Sequence, residues 1–369
     1  TNKVTLVQNG SDKIGGSTVN SNLDVEGIAV TLVFIDSTQG WLVTDSGLQS
    51  EAPTAQYVTA TGGNTTVTCG NFKTHIFTGP GTLCVSSAGN PAGSTTVDYL
   101  VVAGGGGGGT AQGGGGGAGG FRVSNSYSIP APTMSPLSSP TGLPVSVQGY
   151  GIVIGAGGAT GSLPSGNGTA GTVSTFSTIT SAGGGGGRGC GINTGFSGGS
   201  GSGGKGGPTP TSGYCGGAGN TPPVSPPQGN NGGKGYDGRS VSTNGGGGGG
   251  AGAVGANAAN QQGGTGGNGS FIADGFINPT SPSYGTPGPV ASTRFFAGGG
   301  GGASCSNPAP NRALGGAGGG GNAAVNPSSN AVAGTINTAG GGGGGAGNPS
   351  STGALGGSGI VMIRYKFQN

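Results

Sequence analysis

The residues able to do acid–base, metal or nucleophilic chemistry are few in this chain and do not cluster. The 369 residues include one His, nine Asp and Glu and five Cys. His75 has no acidic or cysteine cluster near it in sequence, so neither a metal site nor a catalytic triad is indicated. Beyond Asp98, only Asp237 and Asp274 supply carboxylates. We therefore predict that the chain is not an enzyme and has no cofactor or metal site.

The cysteines are too widely spaced for a zinc or redox motif. Cys69 with Cys84, and Cys190 with Cys215, are the pairs that could form disulfides, while Cys305 stands apart. In a reducing cytoplasm, free buried thiols are the default. Because the number of cysteines is odd, at least one thiol is free or is paired between chains.

Charge, hydropathy and short motifs exclude several function classes. The net charge is +3 and the Lys and Arg residues are scattered, so no nucleic-acid partner is expected. No apolar run reaches the roughly 18 residues of a membrane span. With 99 Gly in the chain, matches to GxGxxG arise by chance. Sequons begin at Asn9, Asn64, Asn167 and Asn268, and we expect glycans on them only if the protein is a eukaryotic or secreted fibril.

Residues 1–51 form a first region, ordinary in glycine content. Val4–Val7 is a short β run, and Ile28–Ile35 is a longer one that returns through a turn into Trp41–Val43. A two-stranded hairpin is marginal alone in water. We therefore expect identical copies to cover its apolar face, which includes Phe34 and Trp41, in a homotrimer.

Apolar strands bracket the glycine-rich remainder of the chain, residues 52–369. They are predicted at Thr65–Cys69, Lys73–Thr78, Thr82–Val85, Val97–Ala103, Val145–Ile154 and Ile360–Phe367. The sequence Gly79-Pro80-Gly81 between two of them predicts a hairpin. Val97–Ala103 and Ile360–Phe367 both alternate and flank the glycine insert, so we predict that they pair within a β-sandwich.

Poly-Gly runs recur irregularly between these strands. They lie at 104–109, 113–117, 183–187, 245–250, 298–302, 318–321 and 340–345. The lack of a strict Gly-X-Y period excludes collagen. The dominance of Gly and Pro, without heptads, excludes coiled coils and amphipathic helices.

Two structures are open to such runs: flexible linkers or polyproline-II-like helices packed side by side. The second kind of helix has three residues per turn and no internal hydrogen bonds, so its backbone groups can bond to neighbours. Recurrence, Pro-rich loops, bracketing strands and scarce charge favour the packed form. We therefore predict an all-β fold plus polyglycine-II: a small N-terminal β module at 1–51, then at 52–369 an antiparallel β-sandwich interrupted by a packed polyglycine-II bundle.

Several ordered motifs resemble a known family. VDYLVVA at Val97–Ala103, followed by six Gly, is similar to the opening of the glycine-rich domain found in many phage tail-fibre and environmental proteins. THIFTGPGTLCV before it, GYGIVIGAGG after it and the closing GSGIVMIRY fit the same pattern in the same order. Similar layouts occur in the glycine-rich region of anaplastic lymphoma kinase and at the receptor-binding tips of phage adhesins. The resemblance implies recognition of a cell surface by the connecting loops.

The N-terminal region resembles a second phage feature. VTLVQNGSDKIGG and VTLVFIDSTQGWLV look like the small β units that end tail-fibre shafts. This resemblance implies a homotrimer that contacts other tail proteins, located in the virion.

Three non-glycine loops, Ser124–Pro144, Tyr214–Arg239 and Phe271–Phe296, carry aromatic side chains and Arg, which binding surfaces favour. The candidate receptor-binding residues are Tyr127, Met134, Tyr214, Tyr236, Arg239, Phe276, Tyr284 and Arg294. The third loop also resembles the family scaffold, so packing is the alternative role of its aromatic residues.

The leading expectation is a phage tail-fibre tip that adsorbs to a bacterial surface polysaccharide or outer-membrane protein. One alternative is a purely structural virion decoration or extracellular filament subunit. Another is a glycine-rich receptor ectodomain or secreted module. The start at Thr1, within a β run, suggests a piece of a longer protein.

Overall fold

The computed structural model describes residues 3–48, 55–161, 166–189, 194–207, 214–237, 243–277, 284–304, 312–325, 329–346 and 351–369. The chain divides into two compact units, Thr1–Gln56 and Tyr57–Asn369. Strands are the main regular secondary structure that the structure describes in both, and the helix α1 (Asp274–Ile277) has four residues. The fold is therefore all-β, as predicted. Within the described ranges, no helix is long and apolar enough to cross a membrane.

Four strands lie in the described part of the first unit. They are β1 (Val4–Leu6), β2 (Ser21–Leu23), β3 (Ile28–Asp36) and β4 (Gly40–Leu48). The second unit contains the others: β5 (Val58–Thr61), β6 (Thr65–Cys69), β7 (Phe72–Phe77), β8 (Gly81–Ala88), β9 (Thr96–Val102), β10 (Phe121–Ser124), β11 (Ser138–Ser139), β12 (Leu143–Pro144), β13 (Gly149–Val153), β14 (Ser174–Phe176), β15 (Ile179–Ser181), β16 (Tyr236–Asp237), β17 (Thr243–Asn244), β18 (Ser270–Ala273), β19 (Thr293–Phe296) and β20 (Ile360–Lys366).

The first unit is built on the predicted hairpin, which β3 and β4 form in antiparallel register. The Asp36 carboxylate accepts hydrogen bonds from the N–H groups of Thr38 and Gln39 at 2.7 and 2.6 Å and fixes the turn. Gly40 has φ +69°, and a Cβ there would lie 2.0 Å from the carbonyl oxygen of Lys13. Glycine at this position therefore lets the segment around Lys13 pair with the start of β4.

The second unit contains two stacked sheets. One has the order β11-β10-β9-β20-β7-β6, with β12 also paired to β9, and the other has the order β15-β14-β13-β8-β5. A shared core lies between them, with Leu83 and Phe176 from one sheet packed against Val101, Ile363 and other residues of the larger sheet. This arrangement is a β-sandwich.

The predicted pairing of the closing strand is confirmed. β20 lies antiparallel to β9, with Ile363 opposite Tyr99, and its other edge pairs with β7. Both central strands are apolar on two faces because the larger sheet is covered on both sides. Val101 faces the sandwich core, whereas Leu100 belongs to a second apolar cluster.

The predicted hairpin at Gly79-Pro80-Gly81 is wrong. β7 lies in the larger sheet between β20 and β6, whereas β8 lies in the smaller sheet between β13 and β5. The turn thus carries the chain across the sandwich. Turn residues mark a change of direction, and they do not distinguish a hairpin from a corner between stacked sheets.

The second apolar cluster lies on the outer face of the larger sheet. β18 and β19 pair antiparallel, and Ile272 and Phe296 from them pack with Leu100, Met362 and other buried residues. Phe276 of α1 belongs to the same cluster.

The glycine runs bond outward with a period of three, as predicted for polyglycine-II helices. The N–H groups of Gly104, Gly107 and Thr110 donate to the carbonyl oxygens of Thr172, Thr169 and Gly166 at 3.0, 3.0 and 2.9 Å. The acceptors therefore step back by three residues each time the donor advances by three. This is the geometry of an antiparallel neighbour beside a helix with three residues per turn.

The run 104–109 is enclosed on all sides. Its N–H groups donate to three segments, and its carbonyl oxygens accept from three others. The acceptor segments are 166–172, 354–357 and 114–117, and the donor segments are 184–187, 342–345 and the residue Gly158. No glycine of the run has a positive φ, yet a Cβ at Gly104, Gly105 or Gly106 would lie 1.9, 2.2 or 2.2 Å from a neighbouring carbonyl oxygen. Glycine is thus required here by space and not by conformation.

Candidate functional site

The first predicted loop, Ser124–Pro144, is largely fixed to the sandwich. The Tyr127 hydroxyl donates to the Thr96 carbonyl at 2.7 Å. The Tyr127 ring packs edge-on against the Phe72 ring, with 5.1 Å between the ring centroids. Met134 is only 5% exposed and belongs to the second apolar cluster. In the folded unit, the Met134 side chain is therefore not presented to a receptor. The exposed residues of the loop include Pro130–Pro132, Ser128 and Pro136.

Tyr127 lies beside a buried ion pair that sequence reasoning missed. Arg364 is 4% exposed and its Nη1 lies 3.9 Å from Oδ2 of the fully buried Asp98. The guanidinium stacks over the Phe72 ring at 3.6 Å. Burial lowers the pKa of Arg364, and the Asp98 carboxylate opposes that shift. The sequence does carry a signal for this pair, because Asp98 and Arg364 are opposite charges within the otherwise apolar strands β9 and β20.

Asp98 also organises the start of this loop. Its Oδ1 accepts hydrogen bonds from the Ser124 hydroxyl at 2.8 Å and from the Ser126 N–H at 2.7 Å. Charge-assisted bonds of this kind are among the stronger ones in proteins. The Asp98–Arg364 pair is thus a structural cluster that anchors the loop.

In the third predicted loop, Phe271–Phe296, the described site residues contact the rest of the unit. Phe276 is fully buried, so its side chain is not available to a receptor. The Tyr284 hydroxyl lies 3.3 Å from Oγ1 of Thr65, and Nε of Arg294 lies 3.5 Å from Oδ1 of Asp274. These contacts tie the loop to the larger sheet and to α1, in agreement with the packing alternative.

The second predicted loop, Tyr214–Arg239, carries three of the predicted site residues, two of them within the described residues. Tyr214 and Tyr236 are half-buried, and the Tyr214 ring covers Gly207, where a Cβ would overlap it. Arg239 lies outside the described residues. Between the two tyrosines, Thr221, Pro222 and Pro223 are exposed.

This Pro-rich loop is ordered by two polar side chains at its ends. The Asn220 Oδ1 accepts from the N–H groups of Val224 and Gln228 at 3.1 and 3.2 Å. The buried Gln228 donates from Nε2 to the Pro222 carbonyl at 2.8 Å, and its Oε1 accepts from the Ala182 N–H at 2.9 Å. The loop is therefore held in one shape by bonds to itself and to the polyglycine bundle.

His75 has a structural environment. Its Nδ1 lies 2.6 Å from the Gly62 carbonyl oxygen, so Nδ1 carries the proton and donates it. Nε2 then accepts from the Tyr365 hydroxyl at 3.0 Å, and that hydroxyl accepts from the Ala60 N–H at 3.2 Å. Burial lowers the pKa of His75. The ring is neutral and joins the two sheets.

A further surface feature was missed from the sequence. Asn167, Gly168, Thr169, Ala170, Phe196 and Ser197 line an open groove of about 370 Å³ at the edge of the polyglycine bundle. The Arg188 guanidinium stacks over the Phe196 ring at 3.7 Å. We call these residues, with Arg188, the Phe196 groove. The signal in the sequence is a large side chain among glycines. Because a polyglycine lattice has no space for a phenyl ring inside it, Phe196 must lie at the edge of the bundle.

The described cysteines do not form disulfides. Cys69, Cys84 and Cys215 are free thiols. Cys69 lies on β6 and Cys84 on β8, which belong to different sheets, so the bond considered between them is not made. Cys190 and Cys305 lie outside the described residues. In the part of the chain that the structure describes, no three His, Cys, Asp or Glu side chains are grouped as metal ligands.

Comparison with known proteins identifies one relationship. A family model described as a glycine-rich domain matches residues 78–366. The match extends from the corner before β8 to the last residue of β20 and so includes all of the polyglycine runs. Among curated proteins, no relative matches the chain.

Proposed function

This chain belongs to the glycine-rich domain family, and from that membership we propose that it forms the distal, receptor-binding part of a phage tail fibre. The observation that carries the proposal is the closed hydrogen-bonded lattice of polyglycine runs. A lattice without side chains cannot vary its chemistry, whereas the loops at its ends and edges can. We assign adsorption to a bacterial surface to those loops.

The proposed activity is binding without turnover. His75, which could act as a base, is buried and bonded to Gly62 and Tyr365. Asp98 and Asp274 each lie beside an arginine. These groups hold the fold together, and this supports an adhesive role in place of a catalytic one.

The loop at Asn220–Gln228 is the best-supported receptor contact. It exposes Thr221, Pro222 and Pro223 while its ends are fixed by hydrogen bonds. A binding loop that is ordered in advance loses less conformational entropy when its partner arrives. The half-buried Tyr214 and Tyr236 flank it in sequence and are proposed as anchors.

The first unit is proposed to assemble three copies of the chain and to meet other tail proteins. Its hairpin exposes large apolar side chains: Val33 is 42% exposed, Phe34 47%, Ile35 52%, Trp41 40% and Val43 52%. Apolar surface of this kind is typical of a protein interface. In a fibre, a homotrimer would cover it.

Adsorption is tested by loop exchange. Residues 221–227 are replaced by a Gly-Ser bridge of equal length, with Asn220 and Gln228 retained because they bond to the bundle. Labelled protein is then measured on a panel of bacterial strains, with the Asn260-Gln261 turn exchanged in the same way as the control. We expect the first exchange to abolish adsorption and the control to keep it. Equal adsorption by both variants, with unchanged thermal melting, would favour the structural alternative.

The assembly state separates the three functions. A closed trimer supports a fibre, a helical polymer supports a filament subunit and a monomer supports an ectodomain or secreted module. Analytical ultracentrifugation followed by electron microscopy distinguishes these outcomes.

A further inference from the structure

We propose that the Phe196 groove binds a carboxylate-bearing sugar of a surface polysaccharide. The inference rests on the proposed adhesive function and adds to it a second contact, outside the predicted loops, and a class of ligand. It is drawn from one exposed aromatic ring, one unpaired guanidinium and the polar groups beside them.

The aromatic part is Phe196, which remains 36% exposed on a bundle made mostly of glycine. An exposed phenyl ring contributes less to the free energy of folding than a buried one. The ring is not free to turn, because the Arg188 guanidinium lies over it at 3.7 Å. A fixed, exposed ring beside polar groups is the kind of surface on which the C–H groups of a sugar pack.

The cationic part is Arg188. Its Nε donates to the Thr194 carbonyl at 2.8 Å, and this bond together with the ring contact sets the plane of the guanidinium. Its terminal nitrogens donate to no other described residue, and neither is a buried atom without a partner. The planar fork of an arginine matches a carboxylate with two parallel hydrogen bonds.

The surroundings leave this positive charge uncompensated. Among the described residues, the ion pairs of arginine are Arg294 with Asp274 and Arg364 with Asp98, and Arg188 has none. Beyond Asp98, the sequence has two acidic side chains, Asp274, which pairs with Arg294, and Asp237. An incoming acid therefore meets an attractive field and little repulsion.

The walls of the groove supply hydrogen-bonding groups for sugar hydroxyls. The Gly189 N–H donates to Oδ1 of Asn167 at 3.0 Å, which orients that amide and leaves its Nδ2 as a donor. Ser197, which also lines the groove, is exposed. The volume of about 370 Å³ falls within the roughly 300–1,000 Å³ of small-ligand sites. A single arginine is too little charge for nucleic acid, which is bound through several phosphates.

The test measures binding of a galacturonate hexasaccharide and an α2,8-linked sialic acid hexasaccharide to the full chain by calorimetry. Maltohexaose serves as the neutral probe of equal length. We expect at least one acidic probe to bind, with an affinity that falls at high salt, and maltohexaose to bind much more weakly. No preference for either acidic probe over maltohexaose overturns the proposal.

Variants locate the site. Arg188→Gln and Phe196→Leu are each expected to weaken binding of the acidic probe by about tenfold or more, equivalent to about 1.4 kcal/mol. Lys234→Gln removes one exposed charge elsewhere on the bundle and should leave the affinity unchanged. Equal binding by all three variants, with unchanged thermal melting, also overturns the assignment.

The result is separable from the fate of the adhesive function. If the parent adsorbs to cells but binds neither acidic probe more tightly than maltohexaose, the groove assignment is wrong and adhesion stands. If the parent binds the acidic probe but adsorbs to no strain tested, the groove stands and the tail-fibre role is wrong.

Discussion

The Tyr365 hydroxyl links the central strand β20 directly to the edge strand β5, where it accepts from the Ala60 N–H at 3.2 Å. Tyr365→Phe leaves the buried Ala60 N–H without its acceptor and His75 Nε2 without its donor. We expect a loss of about 1–3 kcal/mol in the free energy of unfolding, the cost of a buried unsatisfied group. Urea denaturation measures it, and Tyr57→Phe, at a half-buried tyrosine, is the control expected to change little. The same midpoint for both variants would show that the link is not needed.

His75 should make the second unit sensitive to mild acid. Burial lowers its pKa below the ordinary value of 6.5, so the unfolded chain takes up a proton at pH values where the folded chain still does not. The stability that His75 contributes is therefore fully present above pH 6.5 and declines as the pH falls below it. We expect urea midpoints to drop from pH 7 to pH 5 in the parent.

His75→Gln is the comparison for this effect, because glutamine does not titrate. Its midpoint is expected to be lower at pH 7 and to fall less between pH 7 and pH 5. A decline as steep as that of the parent would assign the acid sensitivity to other groups.

At the level of elements, the polyglycine helices should not tolerate even a methyl group. A Cβ at Gly247 would lie 1.9 Å from the Thr265 carbonyl oxygen, whereas at Gly151, on β13, no atom lies within 4 Å. We expect Gly247→Ala to destabilise the unit by about 1–3 kcal/mol or more, as overpacking does. Gly151→Ala should be nearly neutral. Thermal melting compares the two, and similar midpoints would contradict the close packing.

The elements differ in how far sequence could predict them. The pairing of β9 with β20 was visible because both strands alternate, and the helical form of the glycine runs was visible in their recurrence. The neighbours of each run were not, since glycine carries no side chain by which one run could specify another. The corner at Gly79-Pro80-Gly81 was misread because turn residues do not encode which sheet follows.

The sites show the same division. Aromatic or apolar character in a loop predicts that Tyr127, Met134 and Phe276 are binding residues, yet Met134 and Phe276 are buried by an apolar layer whose members are scattered along the sequence. Arg188 and Phe196 were passed over because each stands alone among glycines. The contact between Arg188 and Phe196 depends on the path of the polyglycine backbone, and no local sequence pattern predicts that path.

At the scale of the whole molecule, we expect the first unit to control assembly. Removing residues 1–51, or replacing the exposed Phe34 and Trp41 together by Ser, should convert the proposed trimer into monomers, because each copy loses the apolar surface that the others would cover. Sedimentation velocity measures the change. Val254→Ser, at a side chain 63% exposed in the second unit, is the control. Trimers that persist after the truncation would place the interface in the glycine-rich unit.

The three-residue period of the glycine bundle also constrains how such a chain can change in length during evolution. One added glycine would rotate every later residue of its run by about 120° and direct each N–H toward the wrong neighbour. Three added glycines would restore the phase and lengthen the run by one turn of about 9.3 Å. Insertions and deletions in related genes should therefore occur in steps of nine nucleotides within the runs, and in any multiple of three nucleotides within the loops.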